Sequence, residues 1–279
     1  MPMEEQKTLV PTVRFSRIQS PSSINTFRQC PRKYYYQYIQ RLPTTTSIHL
    51  LRGGIVHSTL EDFFSLDVTP ALKDLFSLKT VLIEFFKNNW NAKQKELSRL
   101  GLAEEALKFY HDESISMLEF WFSSFSDKLS LLSKKNNVAD AFKLLTPKVE
   151  QEYISTKLGV RGFIDAIHEI DGKVIILDYK TSSKDTMTED YKLQLAIYAV
   201  LYQENHGKIP DCLGINFLKF GEKYIDADES LLLSAKEEIK SVHEKTSSTN
   251  IKNYPKNVTS LCKWSTGQCD FYDTCFKND

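Results

Sequence analysis

A chain of 279 residues, 41% hydrophobic and 26% charged, can bury a substantial core as one elaborated domain or two small ones. Its 36 basic residues balance 36 acidic ones, so net charge announces no polyanionic partner, and no apolar run is long enough to span a bilayer. The opening MPMEEQKTLV lacks the basic-then-apolar order of a secretory signal, which makes the cytoplasm the expected compartment.

Residues 1–20 read as an extended or poorly ordered lead-in, and 21–279 as a single domain. SPSSINTF offers Ser22 or Ser23 as the N-cap of a helix running through Tyr34, Tyr35, Tyr36 and Tyr38, with Pro31 marking a break. Residues 6 to 60 hold eight Lys or Arg and no Asp or Glu. Arg28, Arg32, Lys33 and Tyr34 sit in this block, as charges and stacking surfaces sit in a nucleic-acid groove. On the block alone, the simpler reading is a solvated basic face with tyrosines half in the core. From about Pro70 to Lys135, Leu, Phe, Lys and Glu recur at helical spacing, predicting two or three amphipathic helices within an inserted region of about 65–140.

The pattern changes near Pro147. KVEQEYIST, VRGFIDAIHEI and KVIILDYKT are β-rich runs separated by Leu158-Gly159 and Asp171-Gly172. A helix from about Asp190 to Asn205 follows, then a strand CLGINFLKF, a Gly221-Glu222 turn, a short strand KYIDA, and a helix from about Glu229 to Lys245. The expected fold is α/β, a mixed central sheet flanked by helices.

Asp171-Gly172 is a strong signal for a two-residue type I′ hairpin turn. That turn makes opposed residue numbers sum to 343, which sets Asp165 across from Asp178 with Lys180 on the same face. Two opposed carboxylates repel unless a cation, a proton or the lysine compensates. Carboxylate oxygens are what Mg²⁺ prefers, usually together with phosphate, so the patch is a candidate phosphodiester site. The Asp-x-Lys triplet alone is weak, since it recurs at Asp171 and Asp190, and Lys180 could merely form a surface ion pair.

Gly162-x-x-Asp165, Asp178-Tyr179-Lys180 and Gln194-x-x-x-Tyr198, in this order, resemble the PD-(D/E)XK nuclease superfamily in its RecB-like branch. GGIVHSTLEDFF resembles the upstream histidine motif of that branch and points to His57; TFRQCPRKYYYQYI resembles its N-terminal helix. The resemblance implies a restriction-endonuclease-like core. It implies Mg²⁺ or Mn²⁺ ligated by His57, Asp165, Asp178 and the backbone carbonyl of Tyr179, with Lys180 orienting or deprotonating the attacking water. It also implies that Gln194 and Tyr198 contact the DNA backbone or the bound phosphate, with Arg28, Arg32, Lys33 and Tyr34 along the DNA path. In isolation, His57 with Glu61 reads as a helix-surface pair and Gln194 with Tyr198 as part of an amphipathic helix. Glu61, Glu150 and Glu152 are candidate outer-shell groups around the metal, not ligands.

Cys262, Cys269 and Cys275 form a C-x6-C-x5-C cluster. Similar nucleases join three such cysteines to one near the N-terminus around a 4Fe-4S cluster, and Cys30 stands at that first position; their usual first gap is two residues rather than six. Four thiolates also satisfy Zn²⁺. Cys212 opens an apolar strand and reads as a small buried hydrophobe. The implied activity is metal-dependent DNA hydrolysis on single strands or ends, in repair, recombination or CRISPR adaptation. The rival reading is a silent nucleic-acid-binding subunit. With no Walker A loop in the chain, unwinding would fall to a helicase partner, and CRISPR adaptation proteins are the other candidate partners.

Overall fold

A computed structural model describes residues 15–68, 75–265 and 267–277. Most of the expected lead-in, with Lys7 and Arg14, lies outside the described residues, as does the start of the helical region at Pro70.

Helix α1 (Pro21–Gln29) is capped by Ser20 rather than by Ser22 or Ser23. Pro21 occupies the first turn, where its missing N–H costs nothing, so the cap falls one residue earlier. The Ser20 hydroxyl accepts the Ser23 N–H and the Ser23 hydroxyl accepts the Ser20 N–H, a reciprocal capping box. The chain breaks at extended Cys30, where Pro31 starts α2 (Pro31–Tyr34), and a π-helical turn, Tyr35–Ile39, carries on. Tyr34, Tyr35 and Tyr36 are buried, and Tyr34 shares hydrogen bonds with buried Gln19.

A helical layer follows: α3 (Ile48–Phe64), α4 (Leu75–Ala92), α5 (Gln94–Ser98), α6 (Glu104–Ser133) and α7 (Val138–Leu145). The sheet is built from β1 (Lys148–Ser155), β2 (Val160–Ile170) and β3 (Lys173–Lys180). After α8 (Glu189–His206) come β4 (Cys212–Phe217) and β5 (Gly221–Asp226). Helix α9 (Glu229–Lys245), a small hairpin of β6 (Lys263–Trp264) and β7 (Gly267–Gln268), and α10 (Tyr272–Lys277) complete the described chain.

Strand order is β1-β2-β3-β4-β5, antiparallel throughout except for the parallel β3–β4 pair that α8 connects. The mixed sheet between helices is the α/β fold expected. The β2–β3 turn carries φ of 51° at Asp171 and 76° at Gly172, and Ile170 faces Lys173, so the 343 sum holds along the ladder. Gly221 pairs with Phe217 and opens β5, so the β4–β5 turn lies at 218–220 instead of at Gly221-Glu222.

Two cores sandwich the sheet. On one face α8 is buried from Leu195 to Tyr202 and packs with α1 and α9. Such burial needs apolar residues all round, which its run of Leu, Ala, Ile, Val and Tyr supplies. On the other face Phe63, Phe64, Trp121, Phe125 and Phe142 form an edge-to-face cluster over Leu177 and Tyr179. The helical region is therefore one wall of the sandwich, since a sheet with two apolar faces must be covered twice.

Candidate active site

Strands β2 and β3 part company at their functional end. Their ladder runs from Ile170–Lys173 only to Ala166–Leu177, while β3 continues to Lys180 against β4. Farther along β2, Gln19 bridges Val160, donating its N–H to Gly159 and accepting that of Arg161. The sheet is thus forked between Asp165 and Arg161.

The fork coincides with a double irregularity. Ile164 enters the α8-side core and Ala166 the opposite one, although residues two apart share a face in a regular strand. On β1, Tyr153 and Val149 split between the same two cores. Between Val149 and Gln151, Glu150 has φ of 47°, left-handed backbone that a residue with a Cβ adopts at a cost of about 1–3 kcal/mol. The matched kinks let Glu150 and Asp165 turn toward α3, where they meet His57. One ligand atom from each of these three lies within 4.8 Å of the others.

His57 Nε2 stands 2.9 Å from the Tyr179 carbonyl oxygen and Nδ1 stands 3.4 Å from Asp165 Oδ2. Asp165 Oδ2 accepts the Tyr179 N–H at 2.8 Å. The ring of Tyr179 lies in the helical-layer core, so its peptide is held by the site and its side chain by the opposite wall.

Asp178 and Lys180 face α8. Lys180 Nζ lies 2.5 Å from Asp178 Oδ2 and donates to Gln194 Oε1 at 3.1 Å. The Gln194 amide donates to Asp178 Oδ1 at 2.9 Å and to the Tyr198 hydroxyl at 2.8 Å. Gln194 is thereby fixed by three partners. Helix α8 is aimed by Thr188, whose hydroxyl accepts the Tyr191 N–H. The role of the motif glycine is steric: a Cβ on Gly162 would meet the Tyr198 ring at 3.0 Å and Leu201 at 3.1 Å.

The electrostatics are those of a site short of positive charge. Burial, then repulsion by Asp178, holds the Asp165 carboxyl well above the usual carboxylate range. Glu150 is raised by burial and by Glu61 and Asp178, and His57 is lowered by burial, which favours the neutral imidazole that ligates metals. Burial alone would lower Lys180, but the charge of Asp178 and its hydrogen bond outweigh it, so the ammonium is favoured. Asp178 is 1% exposed, and its Oδ2, though close to that ammonium, has no well-formed hydrogen bond.

His57, Glu150 and Asp165 fit a divalent cation, as a neutral imidazole nitrogen and two carboxylates whose mutual repulsion a cation relieves; Asp178 stands outside that group, its oxygens beside Lys180 and Gln194. Glu150, read from sequence only as a candidate outer-shell group, lies within ligand distance of His57 and Asp165, and no glycine marks its left-handed turn.

Two of the residues proposed from sequence to touch DNA are buried. Tyr34 is 0% exposed and offers no stacking face, and Tyr198 is buried. Arg28 pairs with Asp190 and Glu238, Arg32 donates to the Tyr254 carbonyl, and Lys33 donates to Gln29.

Cys30 is brought to the C-terminal segment, where the Asn257 amide donates to the Gln29 carbonyl and Arg32 holds Tyr254. The thiols of Cys269 and Cys275, raised mainly by burial, also sense Cys30. No three cysteine sulfurs lie within 4.8 Å of one another among the described residues. Cys212 opens β4 half-buried, its thiol raised by burial.

The family comparison agrees with this fold. The sequence profile of the PD-(D/E)XK nuclease superfamily matches residues 19–276. No curated protein matches the chain. A solved structure from Eubacterium rectale, described as a candidate exonuclease, superposes with a TM-score of 0.47 at 13% sequence identity over 99% of each chain.

Proposed function

This chain belongs to the PD-(D/E)XK nuclease superfamily, and we propose that within it the protein is a divalent-metal-dependent deoxyribonuclease of the RecB-like branch, acting on single-stranded DNA or free ends. The observation that carries this reading is the convergence of His57, Glu150 and Asp165 at the fork, beside an Asp178–Lys180 pair locked by Gln194.

His57, Asp165, Asp178 and the Tyr179 carbonyl, joined by Glu150, would hold Mg²⁺ or Mn²⁺. When bound, the cation polarises the scissile phosphate and offsets the charge that develops on it. The protein supplies the rest. Lys180, an ammonium ion-paired with Asp178 and donating to Gln194, would orient the attacking water or a phosphate oxygen. In the reaction the water oxygen bonds to phosphorus, one ester P–O bond breaks, the water proton passes to the Asp178 carboxylate beside the Lys180 ammonium, and the leaving oxygen takes up a proton from solvent. Gln194 and Tyr198 act here as positioning residues, since Gln194 spends its amide on Lys180, Asp178 and Tyr198.

Cys30, Cys262, Cys269 and Cys275 are assigned to a structural metal centre. Four thiolates satisfy either a 4Fe-4S cluster, the centre that similar nucleases carry, or one tetrahedral Zn²⁺. Such a centre ties residue 30 to the C-terminal segment and contributes folding free energy. A helicase or the proteins of CRISPR adaptation are the partners that would supply unwound ends.

Cleavage of end-labelled linear and closed circular single-stranded DNA with Mn²⁺, Mg²⁺ or EDTA, beside Asp178→Ala, tests the assignment. Metal-dependent loss of linear DNA, absent in the variant, is the expected result. Cleavage that persists in Asp178→Ala, or none in the wild type, overturns it.

A further inference from the structure

Three arginines, Arg17, Arg41 and Arg161, gather beside the end of β2. A cleft of about 590 Å³ opens there, lined by Arg17, Tyr38, Arg41, Arg161, Ser247 and Thr249 among others, with no Asp or Glu in its wall. Arg17 lies 4.1 Å over the Tyr38 ring, and neither Arg17 nor Arg41 is ion-paired with a carboxylate among the described residues. Arg161 has a partner, Glu152, at a loose 3.8 Å with both side chains exposed. Arg41 holds φ of 56°, a left-handed conformation that Gly or Asn would adopt more cheaply. The cost falls on a residue whose side chain enters this cleft.

An exposed track connects the cleft with the metal ligands. Cross-strand partners share a face, so Glu152 with Phe163, and Ile154 with Arg161, form successive rungs of the β1–β2 surface leading away from Asp165. Phe163 is 49% exposed and Ile154 46%, an apolar strip with no protein layer over it. Arg161 lies four residues, roughly 13 Å of strand, from Asp165. Cations spaced along a track, with an aromatic face between them and the reactive centre, match a single strand that carries phosphates on one edge and bases on the other.

We infer that this cleft is a phosphate-binding subsite for the DNA strand running from the catalytic fork, with Arg17, Arg41 and Arg161 on successive phosphates and Phe163 stacking a base. The inference rests on the nuclease reading and adds to it the direction in which the strand leaves.

The test is fluorescence anisotropy of a labelled oligo-dT 20-mer in EDTA, titrated across a range of KCl concentrations, with Mn²⁺-dependent cleavage measured in parallel. The Arg17→Gln/Arg41→Gln/Arg161→Gln variant should bind at least tenfold more weakly. Its plot of log affinity against log salt should be shallower by about 2, the counterion release of three single-strand phosphates. The corresponding triple Lys variant should regain the slope, and Phe163→Ala should weaken binding about tenfold without changing it. Thermal midpoints equal to wild type verify folding, and Lys95→Gln, exposed on α5, should leave the slope alone. A wild type that binds and cleaves while the triple Gln variant matches its affinity and slope overturns the subsite alone. A wild type that neither binds nor cleaves overturns the nuclease reading and the subsite with it.

Discussion

His57 and Tyr179 meet through a side chain and a main chain: imidazole Nε2 is 2.9 Å from the Tyr179 carbonyl oxygen, while Asp165 takes the N–H of the same residue. Both polar groups of Tyr179 are thus claimed by the groups expected to ligate the cation. His57→Ala should therefore lower Mn²⁺ affinity by about 10–100-fold and reduce cleavage at least as much. Isothermal titration with Mn²⁺ checks the first and single-turnover cleavage the second; unchanged Mn²⁺ affinity would remove His57 from the ligand set.

The acids at the fork repel one another, so their chemistry and their stability oppose each other. Glu150→Gln removes one half-buried, uncompensated carboxyl and should raise the Tm of the metal-free protein. Millimolar Mn²⁺ should raise the Tm of the wild type more than that of the variant. Differential scanning calorimetry with and without Mn²⁺ reads both shifts, and a variant less stable without metal would contradict the repulsion argument.

Arg52 is a buried cation of the helical layer that reaches the catalytic strand. It pairs with Glu113, which also pairs with Lys219, and its Nη2 donates to the Thr181 carbonyl at 2.9 Å, one residue past Lys180. Glu113→Ala leaves both cations without their carboxylate and should cost about 3 kcal/mol, because breaking a buried pair strands the remaining charge. Urea unfolding measures it. A loss below about 1 kcal/mol would mean that the triad behaves as a surface pair.

His168 lines a small cavity of about 80 Å³ with Glu222, Tyr224, Asn216 and Lys128. Burial pushes its pKa down from 6.5 to about 4, with Glu222 opposing and Lys128 assisting. The unfolded chain therefore takes up a proton before the folded one does. The stability this histidine contributes is complete above pH 6.5 and declines as pH falls toward 4, by roughly 2 kcal/mol across the window. His168→Gln should flatten the difference in urea midpoint between pH 7 and pH 5; an undiminished slope would assign the acid sensitivity to other groups.

The hairpin was legible because its turn is chemically explicit. Asp171-Gly172 accepts positive φ at both positions, and once the turn is known the register is arithmetic. That register puts Asp178 and Lys180 on one face, but the expected facing of Asp165 and Asp178 is not formed: the ladder ends at Ala166–Leu177, and Asp165 turns to His57 instead. Glu150 was not legible, because its place depends on a kink in β1 matched by one in β2, and nothing local in Val149-Glu150-Gln151 demands a left-handed residue. The DNA-facing residues were misplaced for a related reason. A basic, tyrosine-rich segment has the same composition whether its rings stack on bases or pack in a core, and here Tyr34 and its neighbours are consumed by packing against Tyr254 and Phe27. The triad of Arg52, Glu113 and Lys219 joins residues far apart in the chain, beyond the reach of any local pattern.

Tyr179 spans the sheet, its peptide in the fork and its ring among Phe64, Trp121 and Leu177 on the opposite wall. Packing in the helical layer thereby bears on the position of an oxygen proposed to ligate the cation. Enlarging or emptying the space around that ring would shift the carbonyl by fractions of an ångström, so packing of the helical layer becomes a tuning parameter for turnover. Variation in α6 should then appear in enzymology as changes in rate and metal preference, long before it appears as loss of fold.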